Sequence, residues 1–394
     1  MKYLSKYRWW GPIILVLLAN ACSFSLPGQL SREARETPPA APFTQPTPEG
    51  STSGSEETGE VNTPLGEAID SYIRLNHPLF SGTVLVASQG QILLSKGYLW
   101  SDWELETPNR RSTKFRIASI TKPITALAIL MLQERGIVDV NDLACKFVTE
   151  CPPDWQEITI HQLLTHTSGI PDYTRLPGAW EDAVQPIKAE DLIARFRDEP
   201  LEFAPGERFS YSNSGYALLG YILEQVTHQP YANFLEENIF APLDMQDTGY
   251  DNNLEVLKER AHGFTIEGDM ILNGRYLNMT NAFAAGGLYS TVDDLYRLDQ
   301  ALYTDQLVSQ ETRSEIFTPY IDAPELGAQY GYGWVIGKSK GHSMTGHEGS
   351  ISGFHALLER YPEEAATIIL LSNVESADLD RLLHGIEDLL FPEQ

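Results

Sequence analysis

The chain reads as an α+β fold: one antiparallel sheet formed from both terminal regions, flanked by helices, with a helix-rich lobe inserted in the middle. Three observations predict this. Strand-like runs stand near the start, at Gly82 to Ala87 and Gln91 to Ser95, and return near the end, at Gly333 to Ile336, Phe354 to Arg360 and Thr367 to Leu371. Helical periods dominate the centre from Ile117 to about Met245, as at Ile124 to Gln133 and Tyr216 to Val226. A closing amphipathic helix puts Leu379, Leu382, Leu383, Ile386 and Leu389 on one stripe. An active site is expected where the sheet edge meets the lobe.

In chain order, residues 1–21 lie outside that fold. Lys2, Lys6 and Arg8 form a positive n-region, and an apolar run from Trp9 to Leu18 follows. The run is short of the ~20 residues needed to span a bilayer, and Ala19-Asn20-Ala21 supplies small residues before Cys22. This reads as a secretory signal, and the cysteine after it resembles the lipidated residue of a bacterial lipobox, with Ala19 standing where such boxes usually carry Leu. The expected location is therefore the bacterial cell envelope, outside the cytoplasm, with a membrane held through lipid on Cys22. Residues 22–62 are rich in Pro, Ser, Thr, Gly and Glu with no hydrophobic period, so they are expected to form a disordered tether. The folded domain is expected over 63–394. Thr63-Pro64 offers an N-cap and first helical residue, with Leu65, Ile69, Tyr72 and Ile73 at helical spacing behind it. The runs at Gly82 and Gln91, joined by Ser-Gln-Gly, read as a hairpin.

Composition narrows the partners. With 394 residues, 42% of them hydrophobic, the chain can bury a sizeable core. Its formal net charge of -26 repels nucleic acid, and no basic cluster offsets it locally. Besides Cys22 the cysteines are Cys145 and Cys151. An oxidising compartment favours a bridge between them, worth about 2 kcal/mol on a chain-entropy estimate. A metal site and two inert thiols are the alternatives, but no His or third Cys stands at ligand spacing. No cofactor is expected.

Three groups of residues could carry chemistry. Ser119-Ile120-Thr121-Lys122 is the one S-x-x-K in the chain and opens a helix ahead of Pro123. At i and i+3 the amine can reach the hydroxyl, and a lysine whose pKa is lowered can serve as the base a serine nucleophile needs. Taken alone, it equally describes a surface lysine one turn after an N-cap serine. Tyr211-Ser212-Asn213 offers a phenol and an amide, although Tyr250-Asp251-Asn252 and Tyr276-Leu277-Asn278 share the pattern. His347-Glu348-Gly349, followed by Ser350, stands near the late strands, where a glycine lets a substrate backbone approach a sheet edge.

Together, in this order, these motifs resemble the serine β-lactamase and penicillin-binding superfamily. The closest branch is the one with tyrosine in its second motif, which contains class C β-lactamases, D-Ala-D-Ala carboxypeptidases, D-aminopeptidases and related esterases. The stretches Ile160 to Gly169, Ala284 to Leu288, Ser290 to Leu295 and Tyr330 to Trp334 resemble it too, so the likeness spans about residues 64 to 390. The resemblance implies a β-lactamase/transpeptidase-like fold and a serine hydrolase. Ser119 would be the acylated nucleophile, Lys122 a base or a charge in its network, and Tyr211 the proton shuttle. Asn213 would hold the substrate's acyl-side amide, His347 would replace the usual third-motif lysine, and the backbone N–H groups of Ser119 and Ser350 would form the oxyanion hole. The resemblance implies a small-molecule or peptide substrate, with cell-wall-derived ones among the candidates. Glu348 departs from the pattern. Facing the cleft, it would repel a substrate carboxylate by about 1 kcal/mol in water-like surroundings and about 4 kcal/mol at an effective dielectric of 20. It therefore predicts a preference for neutral esters or amine-bearing substrates. The alternative to an enzyme is a catalytically idle or binding lipoprotein on the same fold. No G-x-S-x-G elbow or H-E-x-x-H motif supports another hydrolase chemistry.

Overall fold

The computed structural model describes residues 59–392. The signal segment, Cys22 and the tether before Gly59 lie outside the described residues. A nine-stranded antiparallel sheet forms the frame. Its strands are β1 (Gly59–Val61), β2 (Gly82–Ser88), β3 (Gln91–Tyr98), β4 (Ile321–Ala323), β5 (Ala328–Tyr330), β6 (Val335–Ser339), β7 (His342–Ile351), β8 (Phe354–Tyr361) and β9 (Ala366–Ser372). They lie in the order β1-β3-β2-β9-β8-β7-β6-β5-β4, so the last strand of the sequence pairs with the first hairpin in the middle of the sheet. That pairing joins the two ends of the chain, as the clustering of strand-like runs predicts.

Both faces of the sheet are covered. On one, α1 (Pro64–Asn76) and the closing helix α7 (Leu379–Leu390) pack through Ile69, Ile73, Leu379, Leu382 and Ile386 against Val84, Val86, Ile368 and Leu370. On the other lies the helical lobe, whose larger core includes Leu85, Leu358, Ile369 and Leu371 from the sheet. Central strand β9 is therefore buried at every position and reads as a nearly continuous apolar run. The lobe holds α2 (Thr121–Glu134), α3 (Ile160–Leu164), α4 (Ala189–Arg197), α5 (Asn213–Thr227) and α6 (Val292–Ala301). Helix α2 is buried from Thr121 to Leu132, which makes it the lobe's central rod.

Thr63 caps α1 by accepting from the Gly66 N–H at 2.9 Å, and Pro64 occupies its first turn, as the sequence suggests. Two expectations are corrected. Gly59–Val61, expected within the tether, are a strand that pairs with Lys96–Leu94 at the sheet edge. The short polar segment gives no strand signal of its own, and an open edge of the hairpin recruits it. The strand β7 is also longer than any run the sequence suggests. His342 to Ile351 is glycine-rich and polar, and its extended form comes from pairing with β8 along its second half and with β6 along its first.

Cys145 and Cys151 are joined in a disulfide, with Cα atoms 5.3 Å apart, at the edge of the lobe. Its reduction should lower stability by about 2 kcal/mol, because a short loop regains its freedom in the unfolded chain. Denaturant titrations with and without reductant check this, and an unchanged midpoint would show that neighbouring contacts alone hold the loop.

Candidate active site

The site forms where α2 begins. Ile117 donates its N–H to the Leu288 carbonyl at 3.0 Å, Ala118 turns the backbone at φ 45°, and Ser119 sits in a single 3-10 turn that runs into α2. Any Cβ is disfavoured at that φ, so the surrounding packing has to hold the left-handed step. Ser119 remains partly exposed at the lobe–sheet junction while its neighbours Ala118 and Ile120 are buried.

Lys122, one turn on, is completely buried. Its Nζ donates to Ser119 Oγ at 3.1 Å, Asn213 Oδ1 at 2.9 Å and the Ala285 carbonyl at 2.8 Å. Three acceptors match the three protons of an ammonium. The ring faces of Tyr211 and Tyr216 lie 4.8 and 5.6 Å from the nitrogen. Desolvation nevertheless dominates and pulls the lysine down to about 7, while the negative charge of Asp172 opposes the fall. The Ala284 to Leu288 stretch forms the wall that holds the helix start. Ala285 accepts from Lys122, the Ala284 carbonyl accepts from Thr125 Oγ1 at 2.7 Å, and Leu288 accepts from Ile117. Gly333, from the Tyr330 to Trp334 stretch, packs on the other side. A Cβ there would meet the Lys122 carbonyl at 3.0 Å.

Tyr211 and Asn213 arrive at the start of α5. The Tyr211 phenol reaches Ser119, and its own burial pushes its pKa up. Asn213 accepts from Lys122 through Oδ1 and donates through Nδ2 to Asp172 at 3.0 Å, so its amide orientation is set from both ends. Asp172, buried, also accepts from Thr174 N and Oγ1. The sequence reading passed over it. The signal was its place three residues after Gly169, at the end of the Ile160 to Gly169 stretch, where it caps a 3-10 turn. His166 is buried within a ring of Phe209, Tyr211, Tyr216 and Tyr330. Its Nδ1 accepts from the Ser212 N–H at 3.1 Å, which braces the Tyr211–Asn213 turn.

The third motif lies on β7. Beyond Gly346 the strand has no partner on the β6 side among the described residues, so 347–351 present an edge to the site. Alternation turns His347 and Gly349 toward the lobe and Glu348 to the opposite face, beside Leu357. A Cβ on Gly349 would lie 2.3 Å from the Ile117 carbonyl and 2.9 Å from the Ser119 nitrogen, so only glycine lets the strand lie this close to Ser119. His347 is buried, with Nδ1 donating to the Glu348 carbonyl at 2.6 Å and Nε2 accepting from the Tyr330 hydroxyl at 3.1 Å. Burial and the Lys122 charge draw its pKa down to about 3. It is therefore neutral and does not supply the charge of the lysine whose place it takes. Glu348 lines the larger cavity, where its carboxylate is paired with His355 Nε2, which lowers the pKa of the acid and raises that of the histidine.

Two cavities lie at the β7 edge and share Ser350. The smaller, about 190 Å³, runs from Ser119 and Asn213 past the β7 edge into the lobe. The larger, about 620 Å³, opens past Tyr211 and His347 toward α7.

A two-terminus antiparallel sheet, an inserted helical lobe and a Ser-x-x-Lys helix start facing Tyr-x-Asn and a glycine-bearing strand define the serine β-lactamase and penicillin-binding class of fold. The chain belongs to the Beta-lactamase family, whose profile matches residues 76–390. It is 33% identical over 330 residues to a penicillin-binding protein of Bacillus subtilis, which covers 79% of this chain and 72% of that protein. Among solved structures it resembles a penicillin-binding protein from Bacillus halodurans, with 27% identity, a TM-score of 0.73 and coverage of 84% of this chain and all (100%) of that one. A D-amino acid amidase from Ochrobactrum anthropi shares the fold at 22% identity, with a TM-score of 0.74 and coverage of 83% of this chain and 99% of that one.

Two outcomes follow from this geometry. Gly349→Ala should slow labelling of Ser119 by a fluorophosphonate about tenfold or more, since overpacking typically costs about 1–3 kcal/mol. Unchanged labelling in the folded variant would show that β7 yields at no cost. Asp172→Asn removes the charge that opposes desolvation of Lys122, so the acid limb of Ser119 labelling should move to lower pH. A limb that stays in place would confine Asp172 to orienting Asn213.

Proposed function

We propose that this chain is an extracytoplasmic serine hydrolase that opens an ester, a D-amino-acid peptide or a β-lactam-like bond through an acyl-enzyme on Ser119. The observation that carries the reading is Lys122 Nζ, 3.1 Å from Ser119 Oγ, in surroundings that bring its pKa to about 7. A group poised there can take a proton near neutral pH and return it. Tyr211, pushed upward by burial, stays a phenol at that pH and is suited to relay a proton rather than to abstract one. Of the two candidate bases, Lys122 is the better matched.

In the reaction, Ser119 Oγ bonds to the substrate carbonyl carbon while its proton passes to neutral Lys122. The tetrahedral oxyanion lies between the N–H groups of Ser119 and Ser350, a placement supported by the close approach of β7 to the Ser119 nitrogen. Collapse breaks the bond to the leaving group, which takes a proton through Tyr211. Water then attacks the acyl-enzyme, gives up its proton to the same network and frees the acid. Asn213 holds the acyl-side amide.

The third motif bears on substrate choice. With His347 neutral and Glu348 acidic, the leaving-group side carries no cation in the place of the usual lysine. Leaving groups without a carboxylate are therefore preferred, and penicillins, which carry one there, are poor substrates. The signal segment 1–21 and Cys22 support a lipid anchor in the cell envelope, with residues 22–58 as the tether.

A fluorophosphonate should label the wild type stoichiometrically and Ser119→Ala not at all. Labelling that survives this substitution would remove Ser119 from the mechanism. Lys122→Ala and Tyr211→Phe should each lower turnover of a p-nitrophenyl ester about 100-fold. Because the base must be unprotonated, kcat/KM should rise with pH through about 7 and level off above it. Decline over that range would contradict a lysine base. Nitrocefin should be hydrolysed far more slowly than the ester, and Cys22→Ser protein should leave the membrane fraction.

A further inference from the structure

The smaller cavity contains a charge that the reaction above does not use. Among the described residues, Arg195, on α4, is the only charged one lining it. The walls near it are apolar, among them Trp180, Leu277, Ala282 and Ile351. Several other arginines pair with carboxylates, as Arg116 does with Asp251, Arg297 with Asp294 and Arg360 with Asp299. Among the described residues Arg195 makes no ion pair, in a chain with 54 acidic and 28 basic residues. Its Nη1 donates to Asn281 Oδ1 at 2.9 Å. Asn281 is itself buried and immobilised, since its Nδ2 donates to the carbonyls of Gln185 at 2.8 Å and Asn278 at 3.1 Å, and its carbonyl accepts from the Tyr173 phenol. The guanidinium is thus held on one edge by a neutral amide, with the rest of its planar donor fork unpaired by any acid.

Resting on the hydrolase reading, we propose that this cavity binds the acyl half of the substrate and that Arg195 receives a carboxylate at that acyl group's far end. The direction follows from the two cavities. Tyr211, which delivers a proton to the departing group, lines the larger one, so the leaving group goes there. Asn213 lines the smaller one beside Ser119, so the acyl chain enters it. The apolar walls cover the chain's methylenes, and a carboxylate pairs with the guanidinium through parallel hydrogen bonds that a neutral group does not reproduce. Low local dielectric strengthens that pair, and the preset orientation of Arg195 reduces the cost of ordering it. The substrate class is an ester or amide of a dicarboxylic or acidic amino acid, cleaved at the carbonyl remote from the free carboxylate.

The test compares 4-nitrophenyl glutarate, which carries a free carboxylate, with its methyl-capped neutral analogue. The wild type should favour the carboxylate ester at least about tenfold in kcat/KM, chiefly through KM. Arg195→Gln should bring the ratio close to one, and Arg195→Lys, which keeps the charge but not the fork, should retain part of it. A ratio near one in the wild type, or an equal loss on both esters in Arg195→Gln, overturns the proposal while leaving the hydrolase reading intact. Should neither ester turn over, glutarate protection of Ser119 against fluorophosphonate decides the matter. Protection lost in Arg195→Gln supports the site, and no protection overturns it. Failure of the fluorophosphonate to label wild-type Ser119 would instead count against the hydrolase reading itself.

Discussion

The burial of Lys122 against Ser119 is the constraint on which the surrounding structure depends, because an amine with no water around it must find its partners in the protein. Those partners come from three separate parts of the chain: the serine one turn back, Asn213 at the start of α5 and the Ala285 carbonyl. Each must stand within about 3 Å of one nitrogen, so each segment has little freedom of its own. Asn213 is held from behind by Asp172, and Ala285 sits on a stretch that also anchors Ile117 and Thr125. The tight glycine contacts at 333 and 349 serve the same end, letting a loop and a strand close on the first turn of α2. The helix is apolar all round because it has to be the interior of the lobe if its first turn is to be dry.

Charge is distributed unevenly around that centre. His347 is buried and neutral, and Glu348, at the larger cavity, is paired with His355. The larger cavity is lined by Glu325, Glu348, Glu359 and Asp380 as well as Arg175 and Lys338, whereas the smaller one carries a single arginine in an apolar wall. The two halves of a substrate would therefore meet opposite electrostatic conditions. A fold shared with penicillin-binding proteins can in this way serve a different choice of acid and leaving group without moving its nucleophile.

Much of this was legible in the residues. The S-x-x-K spacing places the amine over the hydroxyl wherever a helix starts there, because i and i+3 share a face. The late strands and the closing helix follow from apolar runs and a single stripe, and Thr63-Pro64 marks the start of α1 by its own hydrogen-bonding chemistry. Less legible were the elements whose form is imposed by neighbours. Gly59–Val61 is a strand only because β3 offers an edge, and His342–Ile351 extends only because β8 and β6 pair with it. Asp172 looks like any turn aspartate until Asn213 and Lys122 are seen beside it.

The sequence by itself determined the class of fold, the candidate nucleophile and the order of the motifs, because these rest on local spacing and on hydrophobic periods that act within a few residues. Only the tertiary structure decided which lysine, tyrosine and asparagine converge, which way Glu348 points, that His347 is uncharged, and that Arg195 stands in a cavity with no acid to neutralise it. Those properties depend on desolvation and on distances between segments far apart in the chain, and neither quantity exists until the chain has folded.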